Sequence, residues 1–323
     1  MSLDVDQIVD RRRLRRKLSF WRTVGVLAVI GAVAVGSYMA FGRDNLASTP
    51  HVARVVIGGI IRNDRDRVQM LDDIAKSRAS AVILAIDSPG GTVTGAEQLY
   101  DALRRLAAKK PVVAVVDGMA ASGAYIAAIG ADHIVSRRNG MVGSIGVIFQ
   151  FPNVTDLLGK IGVTVEDIKS SPLKAVPNGY QPTSPEARAA INSLVVDSYD
   201  WFKGLVSERR KLSNDRLLQV SDGRVFTGHQ GLELQLVDEI GDERTARAWL
   251  AREKGIPETL RVRTWHSKGT GTEFSWLKGL AAQIAAASGF DTLAALLSQA
   301  TETALERARL DGLLALWQAP GQN

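Results

Sequence analysis

Cysteine is absent from the sequence. That removes a cysteine nucleophile, a structural disulfide and a thiolate metal site together. Histidine is nearly as scarce. His51, His133, His229 and His266 are scattered, and no two stand at the spacing of a helical zinc motif, so neither a metal nor any other cofactor is expected. Aromatic residues make up 6% of the chain and no basic stretch is interleaved with them, which leaves a nucleic-acid partner without support. The net charge of +6 is unevenly spread: residues 1–42 hold seven basic groups against three acids, a net of +4, and the rest of the chain carries +2. Prolines number ten, and four of them (Pro172, Pro177, Pro182, Pro185) fall within 170–185, which therefore reads as an irregular surface loop.

What is present begins with a run of nineteen uncharged residues, 23–41. As a helix at ~1.5 Å per residue it is about 28 Å long, enough to cross a bilayer core. The basic cluster from Arg11 to Arg22 precedes it, so the expected topology has 1–22 in the cytoplasm and everything after Arg43 on the extracytoplasmic side of an inner membrane. A cleaved signal is the alternative, with Ala32-Val33-Ala34 as its small-residue site, but the apolar run continues past it.

After a linker at 42–50, strand and helix patterns alternate: strand 52–60, helix 65–77, strand 81–87, helix 92–108, strand 112–117 and helix 122–130. This predicts repeated βαβ units and a mostly parallel sheet, an α/β fold. A short strand at 133–136, a helix at 154–160, a strand at 163–168 and a long helix from Pro185 to Arg210, capped by Ser184, are expected next. Trp201 and Phe202 belong to the core of that arrangement. Residues 266–323 read as a Gly/Ser/Thr-rich linker and a tail with apolar residues at helical spacing, including Leu293, Leu296, Leu297, Leu313, Leu314 and Trp317. The expected division is thus 1–22 basic tail, 23–41 anchor, 42–50 linker, 51–265 catalytic domain and 266–323 helical tail.

Ser122 stands where a buried strand passes through the small-residue run Gly118-Met119-Ala120-Ala121, expected to be a turn, into a helix. Backbone N–H groups at that helix start favour a developing oxyanion and suit a nucleophilic serine. Taken alone, an ordinary helix cap is the commoner role for such a serine. The neighbouring strand, however, also ends in Ser88-Pro89-Gly90-Gly91, so two adjacent strand ends carry a serine and closely approachable backbone. A serine nucleophile needs a proton acceptor. His133 reads as a structural histidine at a strand entry. Lysine can serve where its charged form is disfavoured by burial, and Lys169 and Lys174 are both candidates that composition does not separate.

Taken in order, Asp87-Ser88-Pro89-Gly90-Gly91, Met119-Ala120-Ala121-Ser122-Gly123, Gly143-Ser144-Ile145-Gly146-Val147 and Lys169-Ser170-x-x-x-Lys174 resemble the signal peptide peptidase A family, membrane-anchored serine peptidases with a Ser-Lys dyad. The resemblance runs over roughly 50–250 and includes the segments 222–228 and 236–241. It implies a Clp protease/crotonase-like fold, with Ser122 as nucleophile, Lys174 as general base, Ser144 orienting the lysine, and an oxyanion hole at Gly91 to which the amide of Gly123 adds. Ser171 and Ala175 stand where the family often has a glycine and an acid. The implied substrates are remnant signal peptides and other short apolar peptides. The implied setting is a membrane, and the implied assembly is a homo-oligomer whose neighbouring subunits can complete each other's sites. Two rivals are a stomatin-associated membrane peptidase with a similar dyad and a non-catalytic crotonase-fold scaffold in which Ser122 is a cap.

Overall fold

The computed structural model describes residues 17, 20–27, 29–31, 49–267 and 313–316. The chain divides into Met1–Thr49 and Pro50–Asn323. In the first unit residues 20–27 and 29–31 are helical, and Phe20, Trp21, Val24, Val26, Leu27, Val29 and Ile30 are exposed. Among the described residues no helix is long and apolar enough to cross a membrane. Residues 28 and 32–41 of the expected anchor at 23–41 lie outside those residues, as do residues 268–312 and 317–323 of the tail.

The second unit is a mixed α/β structure on a largely parallel sheet. Strands β1 (His51–Ile61), β2 (Ala79–Thr92), β3 (Val112–Ala121) and β4 (His133–Ser136) run parallel, β1 beside β2, β2 beside β3 and β3 beside β4. Short strands extend this frame. Strand β5 (Met141–Gly143) pairs with the end of β3, β7 (Val225–Thr227) with β5, β8 (Glu239–Ile240) with β4, and β9 (Val262–Trp265) with β1.

The sheet is parallel because each strand is apolar on both faces. Along β2 and β3, Val82, Leu84, Ile86, Val112, Ala114 and Val116 join one buried cluster, and the alternate residues Ala81, Ile83, Val113 and Val115 join another. The first face is covered by α1 (Arg65–Lys76), α2 (Val93–Ala107), α3 (Gly123–Ile129) and the C-terminal half of α5 (Pro185–Arg210), through Phe202 and Val206. The second face is covered by Ala246, Trp249 and Leu250 of α8 (Glu243–Lys254). Helix starts are fixed by side-chain caps: Asp64 accepts from Arg67 N (2.9 Å), Thr92 from Gly95 N (3.1 Å) and Ser184 from Ala187 N (3.1 Å). Three further helices, α4 (Thr155–Lys160), α6 (Asn214–Val220) and α7 (Gly228–Glu233), complete the unit.

Four expectations are corrected. Strand β2 continues past its expected end at 87 through Ser88-Pro89-Gly90-Gly91 to Thr92, and β3 continues through Gly118-Met119-Ala120-Ala121, where a turn was expected. Each extension has a partner: Ile60 and Ile61 oppose Gly90 and Gly91, while Met119, Ala120 and Ala121 oppose Met141, Val142 and Gly143. The β-branched run at 163–168 forms no strand. Ile168 is fully exposed and the segment pairs with no sheet edge, so β-propensity has nothing to act on. Finally, Leu313–Leu316, expected to be helical, is strand β10, which runs antiparallel between β2 and β6 (Ile148–Phe149).

Candidate active site

Strand β3 delivers Ser122 into the interior, where the residue is 1% exposed. Its backbone is at φ 55° and ψ −118°, a conformation that side chains other than glycine rarely adopt. Three hydrogen bonds hold it there. Its N–H donates to Gly143 O (2.8 Å), and its carbonyl accepts from Tyr125 N (2.9 Å) and Ile126 N (3.1 Å) in the first turn of α3. Helix α3 is buried along its whole length, and its alanines let it sit close to the sheet. Tyr125 pins it in place: the phenol donates to Leu236 O (2.8 Å), and burial pushes its pKa far above the ordinary tyrosine value, so it stays neutral.

The Ser122 hydroxyl makes no capping bond. It donates to Gly146 O at 3.5 Å, the outer limit of a hydrogen bond. An ordinary N-cap serine spends its oxygen on the N2 or N3 amide. This one is strained, buried and unspent, the arrangement of a nucleophile on a sharp strand-to-helix turn. The amides of Gly123 and Ala124, first in α3, lack acceptors within the helix and lie beside the serine.

Ser144 is brought to the same place. The residue before it, Gly143 (φ 94°), supplies the carbonyl that receives the Ser122 amide. Ser144 itself is buried with φ 51°, and its N–H donates to Arg224 O (2.8 Å). A side chain at 143 would strike Phe226 at 2.9 Å, which explains the glycine. Gly91 arrives from β2, whose Ser88 lies opposite Ala120 of β3. A Cβ on Gly91 would come within 1.8 Å of Ile61 O, so only glycine allows β1 and β2 to close there. Ser88 braces the same segment, donating to Gly59 O (2.6 Å) and accepting from Gly90 N (3.1 Å).

Ser144, Ile145 and Gly146 line one side of a cavity of about 350 Å³, and Val195, Val196 and Tyr199 of α5 line another. Val195 is one of the apolar residues that recur at helical spacing along 185–210 and so read as packing positions, whereas Val196 falls outside that spacing. The signal was the pair Val195-Val196, since two adjacent apolar residues cannot share one helix face. At the rim, Asp222 accepts from Arg224 Nε (2.6 Å), and that bond holds its carboxyl below the ordinary range.

The lysines lie elsewhere. Lys174 is exposed, its N–H donates to Ser171 O (3.1 Å), and among the described residues no hydrogen bond joins its Nζ to Ser122 Oγ. The next residue, Ala175, is a further non-glycine with positive φ (57°). Lys169 Nζ pairs with Asp167 (2.9 Å). His133 stacks on Trp249 with ring centroids 4.6 Å apart and faces Glu239 (3.3 Å) and Asp238 (3.8 Å), a structural setting on the α8 face of the sheet.

Known proteins similar to this chain include peptidases. Residues 104–257 match Peptidase family S49. A candidate protease of Synechocystis sp. is 36% identical over 216 residues, covering 66% of this chain and 78% of that protein. A candidate protease of Methanocaldococcus jannaschii is 33% identical over 211 residues, 64% of this chain and 68% of that one. A protein of Enterococcus faecium described as a candidate signal peptide peptidase SppA is 29% identical over 248 residues, 72% of this chain and 71% of that one. The buried serine at the end of β3 therefore sits in a chain that belongs to the S49 family of serine peptidases.

Proposed function

We propose that the protein is a membrane-anchored endopeptidase on a Clp/crotonase-like frame that cleaves short apolar peptides, remnant signal peptides among them, through an acyl-enzyme at Ser122. The observation that carries this reading is the Ser122 hydroxyl, buried and held at φ 55° without a capping role. Ser122 attacks the peptide carbonyl, and the Lys174 amine takes its proton and returns it to the leaving amine. Amides at Gly91 and Gly123 receive the tetrahedral oxyanion, and water then releases the acyl group. Ser144 orients the lysine amine. The expected anchor at 23–41, with its basic cluster on the cytoplasmic side, puts this domain outside the inner membrane and next to a source of apolar peptides.

Two subunits complete one site in this reading. Its support is the segment that leads into the lysine loop, where Leu157, Ile161, Val163, Ile168 and Leu173 are all exposed. So many large apolar side chains in one stretch of sequence fit a covered face better than a solvated one.

Incubation with an activated peptidyl ester, followed by intact mass and peptide mapping, should find one acyl group per chain on Ser122. The rate of acylation should rise toward alkaline pH, because only an uncharged amine accepts the serine proton. Acylation at another residue, or a rate that levels off near pH 6.5 and collapses in His133→Ala, would reject the dyad.

A further inference from the structure

Helix α3 starts beside Ser122, and its far end is gripped by two guanidiniums to which the serine chemistry assigns no part. From α5, Arg209 Nε donates to Ile129 O (2.8 Å) and its Nη2 to Ala131 O (2.9 Å). From α2, Arg104 Nη1 donates to Gly130 O (2.9 Å) and faces Asp132 (3.8 Å). Three successive carbonyls at the end of α3 are thus held by cations, at the pole of the helix dipole that favours positive charge. The same knot reaches the strand. Asp132 accepts from Val112 N (3.0 Å), and its own N–H donates to Val112 O (2.8 Å), which fixes the start of β3 beside the end of α3. Strand β3 and helix α3 therefore form one unit, closed at its base by Arg209, Arg104 and Asp132 and bearing Ser122 at its apex.

We propose that Arg209, aided by Arg104, is a positioning residue for the nucleophile: it holds α3 in the one placement that keeps the strained Ser122 hydroxyl aimed at the substrate carbonyl. This rests on the peptidase reading for its kinetic consequence but not for the geometry of the clamp. A residue at φ 55° and ψ −118° relaxes unless its surroundings over-determine it. Because Ser122 O accepts from Tyr125 N and Ile126 N, a shift of this seven-residue helix passes directly to the serine. Helix α5 holds α3 by a second route as well. Arg210, next to Arg209, donates to Gln235 O (2.6 Å) and Asp238 (2.6 Å), in the segment whose Leu236 O accepts from the Tyr125 phenol. The same helix carries Tyr199 in the wall of the cavity beside Ser144, about 15 Å along its axis from Arg209. One rigid element thus references the nucleophile to the space that a substrate side chain enters. A misplacement of about 1 Å at a reacting group costs up to ~100-fold in rate, which sets the scale of the expected effect.

The test uses the full chain and pairs an activity-free readout with a kinetic one. In Arg209→Met, hydrogen–deuterium exchange at residues 122–126 should rise about tenfold more than at 81–86, because the change frees the end of α3 and leaves the sheet in place. Acylation of Ser122 by an activated peptidyl ester should slow about 30- to 100-fold, with the half-saturating ester concentration within about twofold of the parent. Arg209→Lys keeps the charge but not the planar fork that reaches two carbonyls, and its rate should fall between. It also carries the comparison if Arg209→Met does not fold. Arg209→Ala should regain about tenfold in rate with ethylguanidinium and nothing with ethylammonium, a rescue that a general loss of stability does not show. Trp249→Leu, on the other face of the sheet, is the control: its thermal transition should fall by several degrees and its acylation rate stay within about twofold. Parent-like acylation in the Arg209 variants, or exchange at 122–126 that rises no more than at 81–86, would overturn the inference. So would a rate loss that tracks the thermal transition through all the variants, Trp249→Leu included, without rescue. A parent whose Ser122 takes up no acyl group while the exchange pattern holds would retire the peptidase reading and leave the clamp standing.

Discussion

Ser122→Ala and Lys174→Ala should each lower peptide turnover by about three orders of magnitude or more, and the double variant should be scarcely worse than either, because groups acting as one unit are not additive. Neither change should unfold the protein. The Ser122 hydroxyl satisfies no helix amide, and Lys174 is exposed, so both variants should keep the thermal transition of the parent within a few degrees. Lys169→Ala is the internal control. It removes an ion pair with Asp167 whose loss costs ~1 kcal/mol or less, and activity should persist. Full turnover by Lys174→Ala would reject the dyad, and full turnover by Ser122→Ala would reject this serine as the nucleophile.

Mixing the two dead variants gives the second large effect. If Ser122 of one subunit meets Lys174 of the next, an equal mixture allowed to exchange subunits should regain about a quarter of the parent activity, the statistical share of sites with both groups intact in a cyclic assembly. The single chain supplies the motive: Lys174 is exposed and not bonded to Ser122, and exposed apolar residues, including Ile168 and Leu173, surround its loop. A mixture that stays inactive after demonstrated exchange would place the whole dyad within one chain.

The sheet was legible in the sequence because Val112–Val116 and Ala81–Ile86 are continuous apolar runs between capped helices, and such runs fit a parallel strand covered on both faces. The position of Ser122 was legible for the same reason. What composition could not convey was the path of Gly90-Gly91 and Gly118–Ala121. Small residues signal a turn when no partner is known, but here they permit close approach: Gly91 to Ile61 O, and Gly118 to the Asp87 carboxylate, which a Cβ would meet at 2.5 Å. The tail was misread because Leu313, Leu314 and Trp317 satisfy a helical period, whereas two unpaired edges 90–92 and 148–149 impose an extended one. The cavity wall was missed because an apolar stripe on α5 was taken as wholly core. In fact Ala187, Phe202 and Val206 are its buried residues, and Val195, Val196 and Tyr199 face the space beside Ser144.

The positive φ of Ser122 also decides which hydroxyl this position can carry. Threonine offers the same oxygen, but its branched Cβ crowds the main chain at φ 55°, where even unbranched residues are rare. Ser122→Thr should therefore lose stability as well as rate, while Ser122→Gly, with no Cβ to strain, should lose the rate and fold at least as well as the parent. The stereochemistry of one peptide unit thus narrows the routes open to mutation: the site can drift to an inert, relaxed form, but it cannot trade one alcohol for the other.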